Sequence, residues 1–185
     1  MTPSKLVLLV SMQFLWLGCS AEQPASEASP AAAESPAASA DSERELAPDF
    51  KLTDLQGESV ELSALRGKTV ILDFWATWCA PCEFQVPELN AFYEAHEGDP
   101  GVAVIGISVD MDGPEVVAAW VAEKGVRYRI ALGDEALARR YGALAFPTLV
   151  IVAPDGSVDS RHVGLVETAD LEEALARQSQ PAEAS

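Results

Sequence analysis

The sequence predicts an α/β domain with a mixed central sheet that carries helices on both faces and is preceded by an N-terminal β-hairpin. Two observations lead to this fold class. Apolar runs at Val70–Trp75 and Val102–Val109 are typical of strands buried on both faces of a sheet. Each run is followed by a helical pattern, and the chain then continues into two further strands and a helix. This alternation favours a mixed sheet with helices on both faces.

The elements follow from local signals in chain order. The hairpin is predicted at Phe50–Leu52 and Ser59–Leu62, with Gly57 in its turn. After the first buried strand, Pro81 opens a helix to about Glu97, because proline is tolerated in the first helical turn. Capping side chains, glycines and a Pro-Asp-Gly turn delimit the later elements. These are a helix from Pro114 to Gly125, a short strand at Tyr128–Ala131, a helix from Asp134 to Gly142, strands at Leu149–Val152 and Val158–Val163, and a last helix from Thr168.

Length and charge restrict the classes of function. The chain has 185 residues, which suits one domain of ordinary size, predicted at residues 47–178, with additional segments at its ends. It carries 12 Lys and Arg against 29 Asp and Glu, a formal net charge of -17. Such a field repels phosphate backbones, so we expect no nucleic-acid partner.

The N-terminal residues 1–19 are predicted to be an export signal. Lys5 precedes the apolar run Leu6–Leu17, which as a helix would be about 18 Å long, short of the roughly 30 Å hydrocarbon core of a membrane. Leu17-Gly18-Cys19-Ser20 resembles the cleavage box of bacterial lipoproteins. This resemblance implies lipid attachment at Cys19 and anchorage to a membrane of the cell envelope. The alternative is ordinary signal cleavage without lipid.

Residues 20–46 are dominated by Ala, Ser, Pro and Glu and contain little that a core could bury. They are predicted to form a disordered tether, and residues 179–185 a disordered tail.

The cysteine pattern indicates redox chemistry. Of three cysteines, Cys79 and Cys82 form a C-x-x-C pair, which could be a redox dithiol or half of a zinc site. Zinc normally needs four ligands, and apart from Cys19 only His96 and His162 remain, so we expect neither a metal nor a cofactor. Cys79 lies just before a helix, where free N–H groups favour a thiolate. Cys79 is therefore the predicted attacking thiol, and Cys82, one turn later, the buried resolving thiol.

The stretch Phe74-Trp75-Ala76-Thr77-Trp78-Cys79-Ala80-Pro81-Cys82 is very similar to the active site of thioredoxin-like proteins, above all the exported TlpA/ResA-like disulfide reductases. The resemblance extends from Ala47 to Gln178 and includes Pro87 and Phe146-Pro147-Thr148. It implies a thioredoxin-like fold and a protein disulfide reductase. It further implies exported thiol or disulfide proteins as partners, a membrane thiol carrier as electron source, and a place in cytochrome c assembly. We expect a monomer.

The resemblance also assigns residue roles. It implies that Trp78, Pro81, Phe146 and Pro147 contact the substrate, and that the Phe146–Pro147 bond is cis and faces the cysteines. This geometry would leave the backbone of Phe146 open for strand-like pairing with a substrate.

Asp73 is the predicted proton acceptor for Cys82. It lies inside a buried apolar run, where its pKa should rise. Thioredoxins carry an Asp at this spacing that is linked to proton transfer. TlpA/ResA-like reductases often carry instead a Glu three residues after the second cysteine, and here that position is Gln85, a supporting residue that hydrogen-bonds but accepts no proton. In the alternative, Asp73 only satisfies nearby backbone donors.

Three other functions are compatible with parts of the pattern. A disulfide-donating oxidase or isomerase uses the same motif, since direction depends on potential and partners. A peroxidase of the peroxiredoxin type is disfavoured, because Thr77 is one residue too close to Cys79 and no suitable proline precedes it. A copper-carrying module usually has three residues between its cysteines and a nearby His, whereas this chain has two residues there.

Overall fold

The computed structural model describes residues 44–179. This part contains seven strands and four α-helices. The strands are β1 Lys51–Asp54, β2 Ser59–Glu61, β3 Thr69–Trp75, β4 Val102–Ser108, β5 Arg129–Leu132, β6 Thr148–Val152 and β7 Val158–Val163. The helices are α1 Gln85–Ala95, α2 Pro114–Lys124, α3 Glu135–Arg140 and α4 Thr168–Ser179, with 3-10 helices at Leu62–Leu65 and Ala80–Phe84.

The strands form one mixed sheet in the order β2-β1-β5-β4-β3-β6-β7. The central strand β3 pairs parallel with β4 and antiparallel with β6, and all seven of its residues are buried. Strong apolar burial on both faces explains why this strand has a nearly continuous apolar sequence.

Helices cover both faces, as predicted. Successive residues of a strand point to opposite faces of the sheet, so the contacts of Phe74 and Trp75 show which elements cover each face. Trp75 packs against Trp120 of α2 with ring centroids 4.4 Å apart, whereas Phe74 packs against Tyr141, which follows α3, at 5.2 Å. Helix α1 lies on the α2 side, because Asn90 donates from its side chain to the Gly125 carbonyl at 2.9 Å. The predicted α/β class with a thioredoxin-like layout is confirmed.

The N-terminal hairpin is also present, with slightly different bounds. Strands β1 and β2 are antiparallel, and Asp54 accepts the backbone N–H groups of Gln56 and Glu58 in the turn between them. The hairpin joins the sheet through β5, where Thr53 pairs with Leu132. Leu62 begins a 3-10 helix rather than ending the second strand.

The helix predicted from Pro81 to about Glu97 divides into two parts. Residues Ala80–Phe84 form a 3-10 helix, and the α-helix α1 begins only at Gln85 and ends at Ala95. Pro87 has no N–H to donate to the carbonyl of Glu83, so a continuous α-helix cannot run through this point. The break places Pro87 in the first turn of α1, where its missing donor costs nothing.

Most of the predicted terminal segments lie outside the described residues. The export signal with Cys19, the tether up to residue 43 and residues 180–185 lie outside the described residues. The last residues of the predicted tether contact the domain, since Leu46 forms a β-bridge with Ser157 and the Glu45 carbonyl accepts the Val158 N–H at 2.7 Å. Between residues 44 and 179, no helix has the length and apolar character that a membrane crossing requires.

Candidate active site

The cysteine pair sits directly beyond the carboxyl end of β3. Strand β3 ends at Trp75, and the Cys79 N–H bonds back to the Ala76 carbonyl at 3.1 Å. The Cys82 N–H in turn bonds to the Cys79 carbonyl at 3.0 Å, so the 3-10 turn brings the two cysteines together. Their Cα atoms are 5.4 Å apart and the sulfurs form a disulfide.

The two cysteines differ in what lies beside them. Both are buried, with Cys79 at 6% and Cys82 at 2% relative exposure. Cys79 nevertheless lines an open groove, whereas Cys82 is not among the residues that line it. A partner that approaches through the groove therefore meets Cys79 and not Cys82.

The groove has a volume of about 730 Å³ and a largely apolar lining. Trp78 forms its rim, with 62% of its surface exposed and its ring edge-on to Phe146 at 5.8 Å. The other lining residues are Ala80, Pro81, Glu135, Ala138, Arg139, Ala143, Leu144 and Ala145. Leu144, Glu135 and Arg139 were not predicted, because only the tertiary placement of α3 and its following loop brings them beside the motif.

The Phe146–Pro147 peptide bond is cis, which confirms the expectation from the resemblance. The segment is held at the start of β6, where the Thr148 hydroxyl donates to the Ala145 carbonyl at 2.6 Å. Thr148 is the register partner of Phe74 in β3. The loop that contains Phe146 and Pro147 therefore lies at the same sheet edge as the cysteines.

A second loop fixes the backbone immediately before Cys79. Asp110, just after β4, accepts the Thr77 N–H at 3.0 Å and the Thr77 hydroxyl at 2.6 Å. The Ser108 hydroxyl also donates to this carboxylate, at 2.8 Å. Asp110 therefore orients the loop that carries Trp78 and Cys79. The sequence signal for it was its position just beyond the end of the buried strand next to β3.

Asp73 is the buried acid of the site. It is 2% exposed, and its Oδ2 accepts a hydrogen bond from the Tyr128 hydroxyl at 3.4 Å, while Oδ1 has no hydrogen-bond partner among the described residues. Burial raises the pKa of Asp73 to about 7, and the Tyr128 hydrogen bond acts in the opposite direction. The predicted burial and raised pKa are confirmed. The alternative role would require backbone N–H groups that donate to this carboxyl. In the described part of the chain, no backbone group does so.

Gln85 has a structural position that the sequence did not reveal. Its side chain is fully buried and forms two hydrogen bonds with the backbone of Val166, donating from Nε2 at 2.9 Å and accepting at Oε1 at 2.8 Å. Glu88 makes a parallel contact, accepting the Thr168 N–H at 2.8 Å. The first turn of α1 is thereby clamped to the segment that begins α4. Gln85 shares the inward helix face with Leu89 and Phe92.

The two histidines are engaged elsewhere. His96 at the end of α1 contacts the Glu172 carboxylate at 2.8 Å, and His162 contacts the Ser160 hydroxyl at 3.1 Å. Between residues 44 and 179, no three His, Cys, Asp or Glu side chains cluster closely enough to hold a metal ion.

A C-x-x-C disulfide at the end of a central strand, beside a cis-proline loop and an open apolar groove, defines a thiol–disulfide oxidoreductase with a thioredoxin-like fold. Such an enzyme reacts with thiols and disulfides of protein partners. The chain belongs to the AhpC/TSA family, which it matches over residues 44–161.

Curated relatives and a solved structure are similar to this chain over most of the described residues. "Thiol-disulfide oxidoreductase ResA" of Bacillus thuringiensis (strain Al Hakam) is 34% identical over 119 residues, which is 64% of this chain and 68% of that protein. "Thioredoxin-like protein YneN" of Bacillus subtilis (strain 168) is 28% identical over 133 residues, which is 72% of this chain and 78% of that protein. The crystal structure of a putative thiol:disulfide interchange protein DsbE from Chlorobium tepidum superposes with a TM-score of 0.63 at 32% identity, covering 73% of this chain and 93% of that one.

The raised pKa of Asp73 predicts how stability depends on pH. The folded protein keeps this proton up to about pH 7, whereas the unfolded chain releases it near the ordinary value of 3.8. The folded state binds more protons between these values, so stability falls as pH rises through this window. Asp73→Asn removes the buried charge, and we expect it to exceed the parent protein in unfolding free energy by about 4 kcal/mol above pH 7 and to match it below about pH 4.

Urea unfolding of both proteins at pH 4 and pH 8 measures this difference. Asp112→Asn is the matched control, because Asp112 is exposed and its replacement removes the same charge without burial. A stability gain of Asp73→Asn that is equal at both pH values would contradict the linkage.

Proposed function

We propose that this protein reduces disulfides of exported proteins through the Cys79/Cys82 dithiol. In the first step, the Cys79 thiolate attacks a substrate disulfide, forms a mixed disulfide and releases one substrate thiolate. In the second, the Cys82 thiolate attacks the Cys79 sulfur and releases the other substrate thiol, leaving the Cys79–Cys82 disulfide. The substrate gains two electrons, and a dithiol donor restores the enzyme.

The position of Cys79 on the groove is the observation that carries this proposal. Cys79 borders open space while Cys82 lies behind it, which suits one thiol for attack and the other for resolution. The similarity to a relative named thiol-disulfide oxidoreductase supports the same reaction type. The proposed substrate contacts are Trp78, Pro81, Phe146 and Pro147. Their apolar surfaces would contact the side chains beside the substrate cysteine. An extended substrate segment would pair with the backbone at Phe146.

Asp73 is the proposed acceptor of the proton that Cys82 loses before it attacks. Asp73 and Trp75 are two residues apart in β3 and so point to the same face. This is the face that α2 covers and beside which α1 lies, and Cys82 is in the turn that leads into α1. A carboxyl whose pKa is raised by burial to about 7 is matched to proton transfer near neutral pH.

Trapping with a disulfide substrate tests the roles of the two cysteines. Cys82→Ser should accumulate a mixed disulfide with the substrate, because Cys79 attacks and no thiol resolves the adduct. Cys79→Ser should accumulate none, and the double variant Cys79→Ser/Cys82→Ser sets the background. Non-reducing gels and intact mass identify the adduct, and the reverse pattern would overturn the assignment.

The redox equilibrium with glutathione tests the direction of electron flow. For a reductase we expect a reduction potential of about −270 mV, as in thioredoxin, which is more reducing than the usual glutathione pool. A disulfide-donating oxidase would instead have a reduction potential of about −120 mV. The fraction of Cys79–Cys82 disulfide across a series of glutathione buffers distinguishes the two, and a potential close to the second value would replace the proposal with the oxidase function.

We also propose that the protein is held at the outer side of a cell membrane by lipid on Cys19. The support is the sequence Leu17-Gly18-Cys19-Ser20 and the apolar run before it. At that location a membrane thiol carrier would supply electrons, and cytochrome c assembly is the proposed process. Mass spectrometry of the membrane fraction should find a mature chain that begins at Cys19 with added acyl mass, and Cys19→Ser should lose it. A mature chain that begins elsewhere would refute lipid attachment.

A further inference from the structure

The buried acid Asp73 accepts a hydrogen bond from one donor among the described residues, and this donor has no role in the two exchange steps. This donor is the Tyr128 hydroxyl, 3.4 Å from Asp73 Oδ2. Tyr128 immediately precedes β5, whereas Asp73 is in β3, and β4 lies between the two strands. The phenol must therefore cross over β4 to reach the carboxyl.

Gly106 makes this crossing geometrically feasible. It is the register partner of Asp73 in β4 and therefore points to the same face. A Cβ atom at Gly106 would lie 3.1 Å from Tyr128 Cε2, 3.0 Å from Trp75 Nε1 and 2.5 Å from Ile130 Cδ1. The space above Gly106 is thus filled by Ile130, Trp75 and the Tyr128 ring, and a methyl group there would collide with Ile130 and crowd the ring.

The electrostatic surroundings make Tyr128 the dominant neighbour of Asp73. The hydrogen bond from Tyr128 is the one side-chain interaction that acts on the Asp73 carboxyl, and no charged group among the described residues contributes. The buried side chains on this face are uncharged on both helices: Gln85, Val86, Leu89 and Phe92 on α1, and Val117 on α2. Among the buried described residues, the titratable groups on this face are Tyr128, beside β5, and Cys82, held in the disulfide before α1. Glu88 of α1 and Lys124 of α2 are partly exposed and paired elsewhere, with Thr168 and Glu83 respectively.

Tyr128 is suited to remain a neutral donor during the reaction. Burial, followed by the charge and the hydrogen bond of Asp73, raises the pKa of the Tyr128 hydroxyl well above its ordinary value. The phenol therefore keeps its proton at neutral pH and donates a hydrogen bond to the carboxylate. A donor of this kind stabilises the ionised acid relative to the protonated acid.

We propose that Tyr128 is a positioning residue that orients Asp73 and sets its protonation for the exchange with Cys82, and that the absence of a side chain at Gly106 is what admits it. The inference rests on the proposed role of Asp73 in proton transfer. Tyr128 itself touches neither cysteine in this scheme and acts through Asp73 alone.

Tyr128→Phe removes the hydroxyl and keeps the ring that fills the space over Gly106. We expect the titration midpoint of the Asp73 carboxyl, followed by carbon NMR, to rise by about one pH unit. The pH profile of substrate disulfide reduction should shift upward by the same amount, with fold and disulfide unchanged. Tyr93→Phe, on α1, removes a phenol hydroxyl that makes no bond to Asp73 and should shift neither quantity.

Gly106→Ala is the second variant, because its methyl group crowds the ring and its neighbour Ile130 without removing the hydroxyl. It should shift the Asp73 midpoint in the same direction as Tyr128→Phe. An Asp73 midpoint that is unchanged in Tyr128→Phe overturns the proposal and leaves the role of Asp73 intact. A reduction profile that is unchanged in Asp73→Asn overturns the role of Asp73 itself, whatever the NMR titration of Tyr128→Phe shows.

Discussion

The pairing of β3 between β4 and β6 is the constraint on which the site depends. At the carboxyl end of β3, Trp75 pairs with Ser108 of β4, and Phe74 pairs with Thr148 of β6. The loop after Ser108, the loop before Thr148 and the loop after Trp75 must therefore meet at one edge of the sheet. A shift of register by one residue would invert every side chain of β3 between the two faces, so burial of both faces holds the alignment in place.

Side-chain hydrogen bonds then stiffen the loops that the sheet brings together. The Asp110 carboxylate holds the backbone and hydroxyl of Thr77, and the Thr148 hydroxyl closes the turn at Ala145. Behind the cysteines, Gln85 binds both backbone groups of Val166 and so joins α1 to the start of α4. The loops and helix around the disulfide are thus fixed by hydrogen bonds, while Cys79 borders the open groove. Such support favours chemistry that needs fixed geometry.

Asp73 shows how a site can oppose stability. Leaving a carboxyl in a fully paired central strand raises its pKa to about 7, so its ionisation weakens the fold at neutral and higher pH. A neutral side chain at this position would avoid that cost. The retained acid, its neutral phenol donor Tyr128 and the glycine that admits the phenol form one arrangement across three strands. Groups that oppose folding in this way cluster at functional sites.

Most of the fold and the cysteine pair of the site could be predicted from the sequence, because both follow from local signals. The apolar runs of β3 and β4, the capping residues of the helices and the C-x-x-C spacing are all readable along the chain. The similarity of the stretch that ends at Cys82 supplied the reaction type and the cis bond at Pro147. The change from 3-10 to α-helix before Gln85 was not predicted, because the signals at Pro81 and Glu97 mark only the two ends of the helical stretch.

The remaining features belong to tertiary structure alone. Tyr128 and Gly106 approach Asp73, and Leu144 approaches Cys79, from elements far away along the chain. Nothing local distinguishes these three residues from solvent-facing or packing residues. The sequence by itself determined which segments become strands and helices and which sulfur atoms form a pair. Only the folded sheet decided which acid gains a phenol donor and which side chains border the reactive sulfur, because strand order and register set these distances and no periodicity along the chain encodes them.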